Sequence, residues 1–259
     1  MTVCVPELTD TQLLRYSRHI LLSELGPDAQ EKFAAAHALV IGVGGLGAPA
    51  AQFLVAAGVG TVTICDADVV DLTNLQRQIL YATQDIGARK VDAAARRLAA
   101  INPEVRIERI ATRVEPEDLA PLVAAADVVL DCCDNFATRH NVNAACVRAG
   151  KPLVSGAALR FDGQVAVFDV RDAESPCYHC LFGEGDELEE TRCATMGVFA
   201  PLVGIVGATQ AGEALKLLAG VGQSLAGRLL LFDALVMEWR ALIVPRDPAC
   251  PVCAHREKT

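Results

Sequence analysis

A glycine-rich turn between apolar segments constrains the fold of this 259-residue chain more than any other feature. The turn follows the apolar run 37–43 and precedes a second apolar run, 48–58, after which comes the β-branched run 59–68. Its G-x-G-x-x-G pattern is formed by Gly42, Gly44 and Gly47. This order predicts a strand, a turn, a helix and a second strand, which is the unit of a parallel sheet with a right-handed crossover.

The remaining sequence continues this alternation and then departs from it. Further helices are predicted over 11–22, 87–102, 115–126, 138–150 and 200–220. Further strands are predicted over 105–114, 127–135 and 151–159, followed by a hairpin strand over 160–170 and two antiparallel strands within 227–244. We therefore predict an α/β fold with a Rossmann-like, mostly parallel sheet that is continued by antiparallel strands.

Composition and charge exclude several classes of partner and location. The formal net charge of −9 disfavours nucleic acid as a partner, because phosphates select basic surfaces. The uncharged stretch 38–65 is long enough to cross a membrane, but glycines and Pro49 interrupt it, so we do not expect a span. The N-terminus has no secretory signal pattern. We therefore expect a cytoplasmic protein whose 10 cysteines are thiols or metal ligands rather than disulfides.

The glycine turn alone does not decide between NAD and ATP as the ligand. In both cases the glycines let the backbone approach a phosphate, and an acid after the second strand, here Asp66, accepts hydrogen bonds from ribose hydroxyls. The residues that follow favour a triphosphate, because roughly four negative charges need cations and hydrogen-bond donors. These residues are Asp68, Thr73, Asn74, Arg77, Gln78 and Lys90. The sequence contains no G-x-x-x-x-G-K-[ST] pattern, which disfavours a P-loop phosphotransferase.

Asp134 and Asn135 follow another buried strand, at the sheet edge where ligands collect in open α/β folds. A carboxylate at this edge suits Mg²⁺, which takes one or two carboxylates together with substrate phosphates. The alternative is a cap for the helix that follows. The two roles can also be divided between these neighbouring residues.

Two C-x₂-C pairs indicate a tetrahedral zinc site. The pairs are Cys177 with Cys180 and Cys250 with Cys253. Four thiolates leave no open coordination position, so the zinc would be structural and would staple the C-terminal segment to the middle of the chain. Two redox motifs are the alternative, which is disfavoured because neither pair precedes a clear helix.

The other cysteines of interest divide into two kinds. Four of them lie in predicted strands or a predicted helix and are interpreted as small apolar fillers: Cys65, Cys132, Cys133 and Cys146. Cys193 lies in the acidic loop 174–193 beside Arg192, where exposure and a neighbouring cation favour a thiolate. A catalytic role and a bystander role both stay open for this residue.

Taken together, these segments resemble the ThiF/MoeB/HesA adenylyltransferases, which are bacterial relatives of the ubiquitin-activating enzymes. The matching segments, in order along nearly the whole chain, are RYSRHILL, GVGGLGAPAAQFLVAAGVG, DADVVDLTNLQRQ, VLDCCDN, FDGQVAVF, CYHC and CPVC. The resemblance implies one domain over 1–259. Its parts would be an N-terminal helical arm (1–25), a nucleotide-binding half (37–160) and an antiparallel, carrier-binding half with the zinc site (161–259).

The resemblance also implies a reaction. The enzyme would bind Mg·ATP and a small ubiquitin-fold sulfur carrier that ends in Gly-Gly. The carrier's terminal carboxylate would attack the α-phosphorus, giving an acyl-adenylate and pyrophosphate, and a thiocarboxylate would then form for molybdopterin or thiamine biosynthesis. No general base is needed, because a carboxylate is already ionised at neutral pH.

Site residues follow from the same resemblance. Gly45 and Asp66 would contact the nucleotide, and Asp134 would serve Mg²⁺. Phosphates would be held by Asn74, Arg77 and Lys90. Arg18 would reach into the ATP site of the neighbouring subunit, which implies a homodimer and, with the carrier, a heterotetramer. Cys193 matches a loop cysteine that some members link covalently to the carrier or to a sulfur intermediate.

Three other functions stay open from the sequence. A tRNA-base-modifying relative on the same scaffold would also use ATP, although the negative charge and the zinc pairs count against it. An NAD-dependent oxidoreductase would leave the phosphate-binding residues unexplained, and a non-catalytic module would only dock a ubiquitin-like fold. The sequence does not identify the carrier. Because CPVC lies near the C-terminus, we expect a separate sulfur donor or cysteine desulfurase rather than an attached sulfurtransferase domain.

Overall fold

One eight-stranded sheet runs through the computed structural model, which describes residues 8–183 and 196–256. Its strands are β1 (His37–Ile41), β2 (Thr61–Cys65), β3 (Arg106–Ile110), β4 (Val128–Asp131), β5 (Leu153–Leu159), β6 (Asp162–Phe168), β7 (Arg228–Asp233) and β8 (Glu238–Ile243). They are ordered β3-β2-β1-β4-β5-β6-β7-β8. The first five pair in parallel, and the last three extend the sheet antiparallel.

Helices cover both faces of this sheet. They are α1 (Asp10–Arg15), α2 (Ser17–Ile20), α3 (Gly26–Ala35), α4 (Gly47–Ala56), α5 (Lys90–Ile101), α6 (Pro116–Ala125), α7 (Phe136–Ala149), α8 (Tyr178–Leu181) and α9 (Ala200–Ala219). Side chains of β1 alternate between the two apolar cores: Val40 packs with the core that includes α4, α5 and α9, whereas Leu39 packs with the core of α6 and α7. This alternation is the period of two expected of a strand buried on both faces.

The predicted fold class is confirmed, with parallel strands first and antiparallel strands afterwards. Most elements are shorter than their apolar patterns. The segment 127–135, for example, is a strand only from Val128 to Asp131, so Asp134 and Asn135 lie in the loop that follows β4. Within the predicted loop 174–193, residues 178–181 form one helical turn, and residues 184–193 lie outside the described part of the chain.

The prediction of one helix over 11–22 was wrong, because the chain forms two short helices that are separated at Tyr16. Tyr16 is 6% exposed, and its hydroxyl accepts a hydrogen bond of 2.8 Å from Asn102 Nδ2. Its ring packs on Gly58. Burying this side chain against distant parts of the chain takes precedence over continuing a single helix.

Among the described helices, α9 is the one that is long and apolar enough to cross a membrane by length and composition. Half of the apolar stretch of this helix is buried inside the protein. The helix contacts α4, β5 and β6, and Leu202 and Val206 belong to the apolar core. It is therefore a packing layer of this fold. The uncharged stretch 38–65 forms β1, α4 and β2, as predicted.

Candidate functional site

The glycine turn between β1 and α4 is too tightly packed for other residues at two positions. Gly42 has a φ of +86°, and a Cβ added there would lie 2.8 Å from the carbonyl oxygen of Cys132. A Cβ on Gly47 would lie 1.8 Å from the carbonyl oxygen of Gly42. Gly44 is different, since the nearest atom to its Cβ position is Gln78 Nε2 at 3.4 Å. The turn therefore keeps its backbone close to the sheet and leaves open space beside Gly44.

That open space is part of a cavity of about 930 Å³ beyond the carboxyl ends of the parallel strands. The predicted nucleotide residues that line it are Gly42, Gly44, Gly45, Asp66, Asp68, Thr73, Arg77, Gln78, Lys90, Asp134 and Asn135. Gly47 and Asn74 do not line the cavity, and neither does Arg18, which is exposed on α2 of the same chain. Most of the residues singled out in the sequence are thus brought together at one edge of the sheet.

Asp66 and Lys90 form the polar centre of one cavity wall. The Asp66 carboxylate accepts hydrogen bonds from the backbone N–H groups of Val43 and Asp68, at 2.8 and 2.9 Å. Lys90 Nζ lies 2.7 Å from Asp68 Oδ2 and 4.0 Å from Asp66 Oδ1. Burial raises the pKa of Asp66, and Lys90 together with the two N–H groups opposes that rise. The lysine is 5% exposed, so its charge acts in a partly dehydrated site.

Arg77 and Gln78 stand beside this pair with spare hydrogen-bonding capacity. Arg77 donates to the carbonyl oxygen of Thr73, one turn earlier, at 3.1 Å. Gln78 is 4% exposed, and its Oε1 has no hydrogen-bond partner among the described residues. Buried polar atoms are rarely left unpaired, so this residue of the cavity wall is a candidate to bind a ligand or water.

Asp134 and Asn135 also line the cavity, and the structure assigns the predicted cap role to Asn135. Asn135 caps α7, because its side chain accepts a hydrogen bond of 2.9 Å from the N–H of Thr138. The Asp134 carboxylate is exposed at the cavity. The cap is therefore the asparagine, and the aspartate is left available for a cation or a substrate.

Beneath this wall lies a buried ion pair that the sequence analysis missed. Arg139 on α7 donates to Asp131 Oδ2 at 3.0 Å and to the carbonyl oxygens of Cys133 and Gly156. Ser155 donates to the same Asp131 oxygen at 2.8 Å. Asp131 is the last residue of β4, but an apolar strand pattern hides its role because its partners come from distant segments.

The predicted filler cysteines are buried, as expected: Cys65, Cys132, Cys133 and Cys146. The first three also line the cavity. Burial raises the pKa of Cys65 to about 12 and that of Cys133 well above its ordinary value. These thiols are therefore poor nucleophiles at neutral pH. Cys193 lies outside the described residues.

The four C-x₂-C cysteines meet in one cluster, with all four sulfur atoms within 4.8 Å of one another. Cys177 Sγ lies 3.7 Å from Cys250 Sγ, and Cys180 Sγ lies 3.5 Å from Cys253 Sγ. Four sulfurs at 2.3 Å from a tetrahedral zinc would be about 3.8 Å apart, whereas a disulfide needs about 2.05 Å. The donor set fits a closed tetrahedral metal site.

Two arginine side chains hold both halves of the cluster in place by hydrogen bonds to backbone carbonyl oxygens. Arg246 donates to the carbonyl oxygens of Ala173 and Cys253, at 2.7 and 2.8 Å. Arg256 donates to the carbonyl oxygen of Val170 at 2.8 Å. The C-terminal segment is thus fastened to residues 170–180 by these contacts as well as by the cysteines.

A parallel sheet with a glycine turn after its first strand, a carboxylate after its second strand and a cavity beyond both is the arrangement of a Rossmann-type nucleotide-binding protein. Comparison with known proteins is more specific. The chain belongs to the ThiF family, which matches it over residues 16–252. The resemblance inferred from the sequence is confirmed.

Named relatives cover nearly the whole chain. It is 44% identical to the molybdopterin-synthase adenylyltransferase of Escherichia coli K12, over 96% of this chain and 99% of that protein. It is 46% identical to the sulfur carrier protein ThiS adenylyltransferase of the same strain, over 95% of this chain and 97% of that protein. A solved structure, Escherichia coli MccB with ATP, has a TM-score of 0.83 at 25% identity, covering 95% of this chain and 75% of that one. These names agree with the predicted adenylyltransferase activity.

Proposed function

We propose that this chain uses ATP to adenylate the C-terminal glycine of a small ubiquitin-fold sulfur-carrier protein. The observation that carries the proposal is the cavity, which brings Lys90, Arg77 and Gln78 to the glycine turn, in a chain whose relatives are named adenylyltransferases. An oxygen of the carrier's terminal carboxylate forms a bond to the α-phosphorus. The bond from that phosphorus to the bridging oxygen breaks, and pyrophosphate leaves with the electron pair.

The chain's own residues contribute position and charge to this step. The backbone of Gly44 and Gly45 lines the cavity where the triphosphate approaches, and the Asp66 carboxylate accepts from the ribose hydroxyls. Lys90 and Arg77 offset the charge of the departing pyrophosphate. A displacement at phosphorus needs little covalent help from a protein, so orientation and charge compensation supply most of the rate.

Two metals accompany the proposal. Asp134 would help to hold Mg²⁺, which neutralises phosphate charge when it is bound. The cluster of Cys177, Cys180, Cys250 and Cys253 would hold a structural Zn²⁺, since a thiolate set with these sulfur distances fits that ion. Removing this metal with a chelator is expected to lower the melting temperature, because metal binding contributes folding free energy directly.

We further infer a homodimer in which Arg18 completes the partner's site, because this exposed side chain does not line the cavity of its own chain. The antiparallel half over 161–259 would bind the carrier, giving a heterotetramer, and a separate sulfur donor such as a cysteine desulfurase would act on the adenylate. Mixing Arg18→Ala with Lys90→Ala protomers tests the shared site. Each mixed dimer has one intact site, so about a quarter of wild-type activity should return. No recovery after protomer exchange would refute the shared site.

The function is tested by ATP–pyrophosphate exchange with purified carriers of the molybdopterin type and of the thiamine type. Exchange should appear with at least one carrier and should be absent without a carrier. A matched carrier that lacks its last glycine serves as the control and should give no exchange. If neither complete carrier supports exchange at saturating concentration, the proposed function is wrong.

The tRNA-base-modifying alternative is not favoured. The relatives with matching length are named for a molybdopterin synthase and for a sulfur carrier, not for a nucleic acid. The net charge of −9 is also unfavourable for a polyanion. Tight tRNA binding that weakens steeply with salt would reverse this judgement.

A further inference from the structure

Two buried polar residues on one face of α7 are hydrogen-bonded to two different regions of the protein. Arg139 and Asn143 are four residues apart, so their side chains lie on the same face. They are 6% and 1% exposed, respectively. Long polar side chains buried to this extent are held in fixed positions by their hydrogen bonds, and each of these two residues is bonded to a different functional region.

Asn143 is bonded to the cysteine cluster. Its Nδ2 donates to Cys177 Sγ at 3.6 Å, and its Oδ1 accepts from the N–H of Tyr178 at 2.9 Å. A hydrogen bond to a metal-binding sulfur orients the ligand and stabilises its thiolate form. The asparagine therefore fixes the first C-x₂-C pair to α7.

Arg139 is bonded to the floor of the nucleotide cavity. Its guanidinium joins the end of β4, through Asp131, to β5, through the carbonyl oxygen of Gly156 at 3.0 Å. It also donates to the carbonyl oxygen of Cys133, which directly precedes Asp134. The loop that presents the Asp134 carboxylate is thus held by the same helix that holds the cysteine cluster.

Tyr178 provides a second connection between the two regions. It lies between Cys177 and Cys180 in the sequence, is 1% exposed, and lines the nucleotide cavity. Its ring centroid is 4.8 Å from that of Phe182 and 5.3 Å from that of His140, which is also on α7. A displacement of the first cysteine pair therefore moves an aromatic ring in the cavity wall.

We propose that α7, through Asn143 and Arg139, couples metal occupancy of the cysteine cluster to nucleotide binding, and that both are positioning residues for the cavity. This inference rests on the proposed function, because it requires that the cavity bind ATP. Without metal, the contacts of Arg246 and Arg256 would still join the two halves of the cluster, but Cys177 Sγ would no longer be a fixed partner for Asn143. A small displacement of α7 would then change the position of Arg139, which holds the Asp134 loop through the carbonyl oxygen of Cys133.

The coupling is measured by calorimetric titration of α,β-methylene-ATP into metal-loaded and metal-stripped wild-type protein. Stripping should weaken nucleotide affinity about tenfold, within the usual range of coupling between two sites. Linkage requires the reciprocal effect, so saturating nucleotide should tighten zinc binding by the same factor. Asn143→Ala should bind zinc about tenfold more weakly. Its nucleotide affinity should change less than about twofold between the loaded and stripped forms.

Asn141→Ala is the matched control, since it is the same substitution on the same helix but at a position that points elsewhere. It should keep the wild-type tenfold response. If stripped wild-type protein unfolds in circular dichroism, the test moves to the loaded protein, with Asn143→Ala, Arg139→Lys and the double variant. Their effects on nucleotide affinity should then be non-additive.

Wild-type affinity that is indifferent to metal would overturn the inference alone, and so would additive effects in the double variant. Asn143→Ala with an unreduced tenfold response would do so as well. A wild-type, metal-loaded protein that binds no nucleotide would instead overturn the proposed function, and the coupling with it. The two failures are therefore distinguishable in one titration.

Discussion

Gly47→Ala is expected to damage the fold through a single methyl group. The added Cβ would lie 1.8 Å from the carbonyl oxygen of Gly42, whereas real Cβ atoms essentially never approach another heavy atom closer than 3.0 Å. The neighbour is backbone, so it cannot rotate away as a side chain would. Either the turn opens or α4 moves off the sheet, and α4 carries Leu54 and Val55 of the apolar core.

The expected cost is at least about 3 kcal/mol, the upper range for overpacked interiors. In a chain of this size that corresponds to a melting temperature roughly 6 to 12 °C below wild type. Thermal denaturation monitored by circular dichroism measures this shift, with the metal content checked in the same sample so that any loss of metal is not mistaken for a packing effect.

Gly44→Ala is the matched control, because it adds the same methyl to the same turn. Its Cβ would meet only the Gln78 side chain, with Nε2 at 3.4 Å as the nearest atom, and its φ is not in the left-handed region. The melting temperature should change by less than about 2 °C. ATP affinity should fall at least about tenfold, since the methyl lies on the cavity wall where the backbone approaches phosphate. If Gly47→Ala has the melting temperature of wild type, or if Gly44→Ala is the less stable of the two variants, the steric reasoning is refuted.

Three further predictions concern polar and charged residues of the cavity. Arg77→Ala should slow carrier-dependent pyrophosphate exchange about 10²–10³-fold at an unchanged melting temperature, and unfolding of the variant would indicate a structural role instead. Burial raises the pKa of Asp66, and Lys90 opposes the rise. The folded state therefore binds a proton at the Asp66 carboxyl group more readily than the unfolded state does, and it loses stability as pH increases above about 4. Lys90→Gln removes that opposition. The free energy of unfolding of this variant, measured by urea denaturation, should therefore fall further below that of wild type from pH 4 to pH 7. A difference that is independent of pH would contradict this reasoning. Asn135→Ala should lower the free energy of unfolding by about 1 kcal/mol in urea denaturation and should retain exchange activity. Asp134→Asn should lose exchange activity and should retain its stability. If each variant has the same effect in both assays, the two residues do not have separate roles.

The sequence predicted those parts of the site that follow from the order of elements along the chain. Asp66 and Asp134 each come just after an apolar run, and carboxyl ends of parallel strands meet at one edge, so their shared cavity was predictable. The four-cysteine cluster was predictable because C-x₂-C spacing fixes the local geometry of each pair. In both cases a short-range pattern determines which side chains meet.

Interactions between distant segments were not predictable in this way. The split of the first helix at Tyr16 depends on Asn102, which is 86 residues away, and the ring's place against Gly58 is visible only in the folded chain. The Asp131–Arg139 pair likewise needs the packing of α7 on β4. In single-sequence patterns Asp131 is the polar end of an apolar strand and Arg139 is one charged residue of a predicted helix. Their burial together is a tertiary property.

The cavity also explains why the antiparallel strands continue the same sheet. Its wall includes Asp66 and Lys90 from the parallel part, but also Gln164 on β6 and Leu231 on β7. These two residues pair directly across the β6–β7 ladder. A nucleotide bound at the glycine turn leaves this side of the cavity for the second reactant, and we expect the extended Gly-Gly terminus of the carrier to fit there because it presents no side chains to the wall. A single sheet spanning both parts would hold the carboxylate and the α-phosphorus at a fixed separation, and orientation would contribute to the rate in this way.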